Sequence, residues 1–129
     1  MAAVIYLDTH VVAWLYAGEV GLFPGAVRSL IDSEELLISP IVELELQYLF
    51  ELQRTTQPGS VVVESLEEEI GLAHCGLPFK QIVTEALTNA WTRDPFDRII
   101  VAQAQVRRTP LLTRDAAIRD HYTEAIWSN

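Results

Sequence analysis

The sequence predicts a single α/β domain of three layers, in which helices cover both faces of a central, mostly parallel sheet. Short apolar runs rich in strand-forming residues alternate along the chain with longer segments whose apolar residues recur at helical spacing. Parallel strands need connections of a dozen or more residues, and the helical segments supply them. A length of 129 residues suits one domain, which we place at residues 1–129.

The first four elements lie near the N-terminus. An apolar run at 3–7 predicts a buried strand that ends at Asp8, and apolar residues at helical spacing over 10–17 predict the first helix. A proline suits the first turn of a second helix over 24–33. The apolar run at 36–39 predicts the second strand.

The middle of the chain predicts two further helices and a short strand. A long helix over 41–53 is expected to end at a turn formed by Pro58 and Gly59. Ser60 then begins a helix whose outer face carries four glutamates, and the segment 71–76 has room for a third strand.

The last third of the chain predicts three helices and two strands. Helical spacing covers 79–90, and an aspartate followed by proline begins a helix over 94–106. A strand over 110–113, a short helix over 116–121 and an edge strand over 125–127 complete the fold.

Composition restricts the class of protein. Half of the residues are apolar and 21% are charged, which argues against disorder. The single cysteine, Cys75, excludes an internal disulfide framework and indicates a reducing compartment. The N-terminal apolar run is too short for a membrane span and has no basic flank, so we expect a cytoplasmic protein with no membrane partner.

The net charge of -9 is unevenly distributed. Residues 1–92 contain three basic and 13 acidic residues, whereas residues 93–129 contain six arginines and five acidic residues. A phosphate backbone would therefore bind most favourably to the C-terminal part. The best candidates for contact with a phosphate backbone are the arginines that flank acidic residues in the sequence: Arg93, Arg98 and Arg114. The alternative is that these arginines are solvated surface charges.

Acidic residues follow two of the predicted strands. Asp8 comes directly after the first strand, and Asp115 lies two residues after the strand that ends at Thr113. Open α/β sheets place their ligand sites at the carboxyl ends of the strands. A cap of the following helix is the alternative interpretation of each aspartate.

Two predicted helices contribute further acidic residues. Glu45 has apolar neighbours three and four residues away, whereas Glu43 belongs to a polar stripe. A carboxylate on an apolar surface is costly to bury unless it is paired, although at the edge of a core it can also reach water. Asp97 shares its helix face with apolar residues and should point inward, whereas Asp94 at the N-cap should not. Capping and the helix dipole are the alternative explanation of both aspartates.

Four acidic residues are thus predicted at one end of one sheet, although they come from separate segments: Asp8, Glu45, Asp97 and Asp115. Crowded like charges destabilise a fold unless a cation neutralises them. A set of oxygen ligands favours Mg²⁺ or Mn²⁺, while the three histidines and the cysteine show no zinc spacing.

Four motifs resemble those of PIN-domain ribonucleases, and most closely those of the VapC-type toxins of bacterial and archaeal toxin–antitoxin pairs. They span essentially the whole chain and are Leu7-Asp8-Thr9, Ser39-Pro-Ile-Val-Glu-Leu-Glu45-Leu46, the segment from Asp94 to Ala104, and Leu112-Thr113-Arg114-Asp115. The resemblance implies a PIN-like fold in which Asp8, Glu45, Asp97 and Asp115 bind the metal and carry catalysis. Asp94 and Thr113 are secondary candidates.

By the same resemblance, the protein is expected to be an endoribonuclease that hydrolyses RNA phosphodiester bonds with Mg²⁺ or Mn²⁺. The resemblance also implies RNA as substrate, a cognate antitoxin that brings a basic group to the acidic site, and a homodimer. Arg93, Arg98 and Arg114 would then contact the RNA backbone.

Other classes with an acidic α/β site fit less well. A phosphatase of the haloacid dehalogenase type needs an aspartate where His10 stands, and a receiver domain needs a lysine late in the chain, whereas the only lysine is Lys80. The remaining alternative is a non-catalytic PIN-like module that binds a cation or an antitoxin.

Overall fold

A parallel sheet forms the centre of the domain. The structure is a computed structural model and describes residues 3–128. Its five strands are β1 Val4–Leu7, β2 Glu35–Ile38, β3 Ala73–His74, β4 Leu111–Leu112 and β5 Ala125–Ile126. They lie in the order β3-β2-β1-β4-β5, and every neighbouring pair is parallel. The strand order reverses between β1 and β4, which is where such sheets bind ligands.

Residues 3–128 also contain seven α-helices, which provide the connections between strands. They are α1 Thr9–Ala17, α2 Gly25–Ser33, α3 Pro40–Glu51, α4 Gly59–Ile70, α5 Phe79–Ala86, α6 Pro95–Gln105 and α7 Ala116–His121, with a 3₁₀ turn at Val20–Leu22. The predicted three-layer α/β/α class is confirmed, and the sheet is entirely rather than mostly parallel.

The central strand β1 fixes the site end of the sheet. Ile5, Tyr6 and Leu7 are all buried, as a continuous apolar run requires in a strand covered on both faces. Leu7 is in register with Leu112 of β4. The Asp8 amide donates to the Leu112 carbonyl oxygen at 3.0 Å, so the chain after β1 is held against the end of β4.

Local signals in the sequence begin α3 and end α1. Ser39 caps α3, with its hydroxyl accepting from the Ile41 amide at 3.3 Å, and Pro40 takes the first helical position. Gly18 ends α1 with a φ of +74°, a left-handed conformation that glycine adopts without strain.

The prediction that Pro58 and Gly59 end a helix is wrong, because they begin one. Pro58 is the N-cap of α4 and Gly59 is its first residue, so the turn precedes them. A Cβ at Gly59 would collide with the Glu43 carbonyl oxygen and lie 2.9 Å from the Gln47 amide nitrogen. The Gly59 amide also donates to Gln47 Oε1 at 3.1 Å. Glycine therefore allows α4 to pack closely on the polar stripe of α3.

The helix predicted over 79–90 is shorter in the structure. It ends at Ala86, and the following turn is fixed by the buried Asn89. The Asn89 amide group donates to the Arg98 carbonyl oxygen at 3.2 Å and to Gln105 Oε1 at 3.0 Å. These bonds hold the turn against α6, and helical spacing alone does not reveal them. Within residues 3–128, no helix combines the length and apolar character needed to cross a membrane.

Candidate active site

A cavity of about 410 Å³ opens at the carboxyl end of the sheet, beside β1 and β4. Five carboxylates line it. Four of them lie at the start of α1, α6 or α7, and the fifth lies on α3: Asp8, Asp94, Asp97, Asp115 and Glu45. His10, Trp14 and Arg114 complete its wall. The four acidic residues predicted to meet at this end of the sheet therefore lie around one cavity.

Asp8 is the most deeply buried carboxylate of the cavity, with 6% of its surface exposed. One oxygen accepts from the Thr9 amide at 2.7 Å, and the other accepts from the Thr113 hydroxyl at 2.6 Å. Loss of hydration raises the pKa of Asp8, and the two hydrogen bonds offset part of that rise. Asp8 also caps α1, so the capping and cavity positions coincide.

Glu45 projects from α3 into the cavity and is half-buried. Its Oε1 accepts from the Thr9 hydroxyl at 2.5 Å. Burial raises the pKa of Glu45, the Thr9 hydrogen bond lowers it, and the charges of Asp8 and Asp94 raise it further. Glu43 lies outside the cavity, with its Oε1 3.3 Å from His74 Nε2.

Asp97 lies in the first turn of α6, among the charges of the other carboxylates. Burial is the main cause of its raised pKa, and the charges of Asp94, Asp8, Asp115 and Glu45 add to it, so that the pKa rises to about 7. No hydrogen bond from residues 3–128 supports its charged form. Asp97 is therefore a carboxylate that takes up a proton readily near neutral pH.

Asp94 differs from its predicted orientation. It caps α6, accepting from the Phe96 amide at 2.8 Å and the Asp97 amide at 3.3 Å, but its side chain also lines the cavity. The expectation that it points away is wrong. An N-cap side chain folds back over the first turn, and here that turn faces the cavity.

The segment after β4 orders the opposite wall. Thr113 is fully buried, and its hydroxyl both donates to Asp8 and accepts from the Asp115 amide at 3.1 Å. Asp115 is exposed, and its Oδ1 accepts from the Ile118 amide at 3.0 Å to cap α7. Thr113 thus connects the two aspartates through one hydroxyl group.

The donor set of the cavity fits a hard divalent cation. All five lining carboxylates offer oxygen, and their mutual repulsion, visible in the raised pKa of Asp97, would be relieved by positive charge. Among residues 3–128, however, no three His, Cys, Asp or Glu side chains are already grouped as a ready-made metal site. Binding would therefore require the side chains to move together.

The three candidate arginines have different environments. Arg114 is exposed and lines the cavity, with its guanidinium carbon 5.8 Å from the centre of the Trp14 ring. Arg93 is exposed and donates to the Ala90 carbonyl oxygen at 3.0 Å. Arg98 is half-buried and donates to two carbonyl oxygens at the end of α5. Arg98 is therefore committed to packing α6 on α5.

Two residues of the site were not found by sequence reasoning. Thr9 is fully buried between Asp8 and Glu45 and hydrogen-bonds both. His10 lines the cavity mouth, with its ring 6.0 Å from that of Trp14. The sequence shows only that Thr9 and His10 follow Asp8. It does not show how α1 is rotated, and therefore does not show that both side chains face the site.

Comparison with known proteins identifies relatives of the whole domain. The family model described as PIN domain matches residues 5–123. Ribonuclease VapC22 of Mycobacterium tuberculosis (strain ATCC 25618 / H37Rv) is 29% identical over 119 residues, which cover 91% of each chain.

Two solved structures share the fold. One is VapBC2 from Rickettsia felis bound to a DNA fragment from their promoter, with a TM-score of 0.63, 15% identity, and coverage of 98% of this chain and 97% of that chain. The other is VapBC-1 from nontypeable Haemophilus influenzae, with a TM-score of 0.64, 20% identity, and coverage of 96% of each chain.

Proposed function

The chain belongs to the PIN domain family, and from this premise we propose that it is a metal-dependent endoribonuclease, the toxin of a VapC-type toxin–antitoxin pair. The observation that carries the proposal is the cavity at the strand-order reversal, where five carboxylates converge. The likeness to Ribonuclease VapC22 over 91% of the chain supports RNA cleavage as the activity.

Asp8, Glu45, Asp97 and Asp115 would hold Mg²⁺ or Mn²⁺, with Asp94 close enough to the cavity to assist. When bound, such an ion lowers the pKa of water and stabilises negative charge on a phosphodiester in the transition state. The carboxylate oxygens suit these ions better than zinc.

The protein's own groups orient this site. Thr113 and Thr9 each donate a hydroxyl proton to one carboxylate, at Asp8 and Glu45, so the remaining lone pairs are directed to the cavity. Asp97 has no such donor among the described residues and can hold or release a proton near neutral pH. Arg114 at the cavity wall is placed to contact a substrate phosphate.

The partners follow from the same proposal. An antitoxin that brings an arginine or another basic group to the carboxylates would neutralise them and block the cavity. This expectation fits the two VapBC structures that share the fold, although they establish only the fold for this chain. A homodimer is expected from the family resemblance, and light scattering that finds only a monomer at micromolar concentration would contradict it.

We also propose that the protein acts in the cytoplasm, where RNA is available. Cys75 fits this location because it is a free, buried thiol that accepts a hydrogen bond from the Tyr6 hydroxyl at 2.9 Å.

RNA cleavage by the purified protein tests the proposal. We expect cleavage with Mg²⁺ or Mn²⁺, none in EDTA, and none by Asp8→Asn with either metal. Asp120→Asn is the matched control, because Asp120 is an exposed acid on α7 that does not line the cavity. Full activity in EDTA would refute the metal requirement. A protein that binds an antitoxin but cleaves no RNA would instead be the non-catalytic module.

A further inference from the structure

A second cavity, which we call the adjacent cavity, opens beside the acidic one and has a volume of about 300 Å³. His10 and Trp14 line both cavities and form the wall between them. The other walls of the adjacent cavity include Ala17 on α1, Leu49 on α3 and Arg54 after α3. The proposed catalytic chemistry uses none of these three residues.

The shared wall is aromatic and held in place from behind. The Trp14 ring packs 5.7 Å from the ring of Trp127 and 6.4 Å from that of Phe23, while His10 is exposed at the cavity mouth. Trp14 is only half-buried despite these contacts. A large ring fixed by core contacts but open to a cavity is suited to stacking, because little conformational freedom is lost on binding.

Cationic groups lie on both sides of this wall. Arg114 lines the acidic cavity with its guanidinium carbon 5.8 Å from the Trp14 ring centre, and Arg54 lines the adjacent cavity, whose lining also includes Glu19. Residues 1–92 carry only three basic residues in all, so Arg54 is an unusual feature of that region. Proteins bind single-stranded nucleic acid by combining cationic groups that follow the backbone with aromatic rings on which bases stack.

We propose that the adjacent cavity binds one unstacked nucleobase of a single-stranded RNA whose backbone crosses the acidic cavity, an inference that rests on the proposed function. The base contacts Trp14 and His10, and Arg54 contacts the neighbouring phosphate. The cavity volume lies in the range of small-ligand sites, about 300–1,000 Å³. The arginines on the two sides of the wall favour an anionic substrate over the basic group expected from the antitoxin, and the continuity of the two cavities places a bound base beside the bond to be cleaved.

A substrate series combined with a cavity-filling variant tests this proposal. The substrates are a single-stranded oligoribonucleotide that the full-length protein cleaves at one bond with Mg²⁺, and versions with an abasic nucleotide at either position flanking that bond. For the parent protein, one abasic position should lower kcat/KM about 10-fold, within the range that stacking of one base supplies. The other flanking position should have a smaller effect.

Ala17→Leu fills the adjacent cavity from an exposed position on α1. This variant should cleave the intact RNA about 10-fold less efficiently, and the abasic substitution should then cost nothing further. Arg54→Ala, a second exposed change, should raise KM for the intact RNA without altering kcat. Ala117→Leu is the matched control, because Ala117 is an exposed helical alanine that lines neither cavity.

An equal abasic penalty in the parent protein and Ala17→Leu would overturn the proposal. So would an Ala17→Leu variant with parental RNA kinetics and lost inhibition by the antitoxin, which would assign the cavity to the protein partner. If the parent protein cleaves no RNA, the proposed function fails on its own. Fluorescence anisotropy with a labelled single-stranded oligoribonucleotide and with a fully abasic ribose-phosphate strand of the same length then tests the base site, and equal affinity for the two strands refutes it.

Discussion

Replacement of Asp97 by asparagine should abolish RNA cleavage and yet stabilise the metal-free fold. The pKa of Asp97 is raised from 3.8 to about 7, first by burial and then by the charge of Asp94. A difference of that size would correspond to about 4 kcal/mol. Because the side chain is partly exposed, solvent screening reduces the cost to about 1–2 kcal/mol.

The cost has a definite pH dependence. A raised carboxyl pKa means that the folded chain binds this proton more tightly than the unfolded chain between about pH 4 and pH 7. The metal-free parent protein should therefore lose stability as the pH rises through that window. Because an asparagine side chain does not titrate, the Asp97→Asn variant should lack this part of the slope.

Thermal unfolding in EDTA and in Mg²⁺ measures both effects. At pH 8 in EDTA, Asp97→Asn should gain about 1 kcal/mol after about 0.3–1 kcal/mol is lost from the helix dipole, which raises Tm by roughly 4 °C. Added Mg²⁺ should stabilise the variant less than the parent protein, because one of the proposed ligands is missing. Asp94→Asn is the control. Asparagine at this position keeps the cap of α6 but removes the charge of Asp94, which is the second-largest cause, after burial, of the raised pKa of Asp97.

A destabilising charge on Asp97 is refuted if Asp97→Asn melts clearly lower than the parent protein in EDTA at pH 8 and gains as much stability from Mg²⁺. Asp97 would then act only as a first-turn helix residue. A parental pH slope between pH 4 and pH 7 in the variant would separately show that Asp97 does not contribute to that slope.

Three further predictions concern neighbouring features. Glu45→Gln should abolish cleavage, whereas Glu43→Ala should leave kcat/KM nearly unchanged because Glu43 lies outside the cavity. The reverse kinetic result would contradict the orientation of α3. Thr113→Val should lower RNA cleavage about 10- to 100-fold and weaken stabilisation by Mg²⁺, because Asp8, a proposed metal ligand, loses its orienting donor. Parental values would exclude this role of Thr113. Gly59→Ala should lower the free energy of unfolding by about 2 kcal/mol in urea titrations, because the added Cβ meets the backbone of α3. Gly76→Ala should change the free energy of unfolding little, because an added Cβ there has no atom within 4 Å.

The sequence predicted the sheet and its acidic edge because both depend on local pattern. The continuous apolar run at 3–7 predicts a buried strand, and the residue after such a strand must lie at its carboxyl end. Glu45 was distinguished from Glu43 by the apolar neighbours at helical spacing, and the structure places only Glu45 in the acidic cavity. The roles of the acidic residues in metal binding and catalysis stay predictions.

The features that sequence reasoning missed depend on contacts between distant segments. Pro58 and Gly59 carry a turn signal, but the packing of α4 on α3 makes them a helix start. The orientation of Asp94 depends on where the first turn of α6 faces, which no local pattern specifies. Arg98 was a candidate for phosphate, and only the structure shows its bonds to the end of α5.

The unequal support of the carboxylates determines how the cavity tolerates its charge without a cation. Asp8 accepts two hydrogen bonds and Glu45 accepts one, and these bonds offset part of the rise in pKa that burial causes. Asp97 receives none from the described residues and lies beside the other acids. A proton bound at Asp97 lowers the repulsion on the whole group, because the carboxylates titrate as a coupled set. A divalent cation would displace that proton, so the buried threonine hydroxyls and the unsupported aspartate together prepare the cavity for a positive charge.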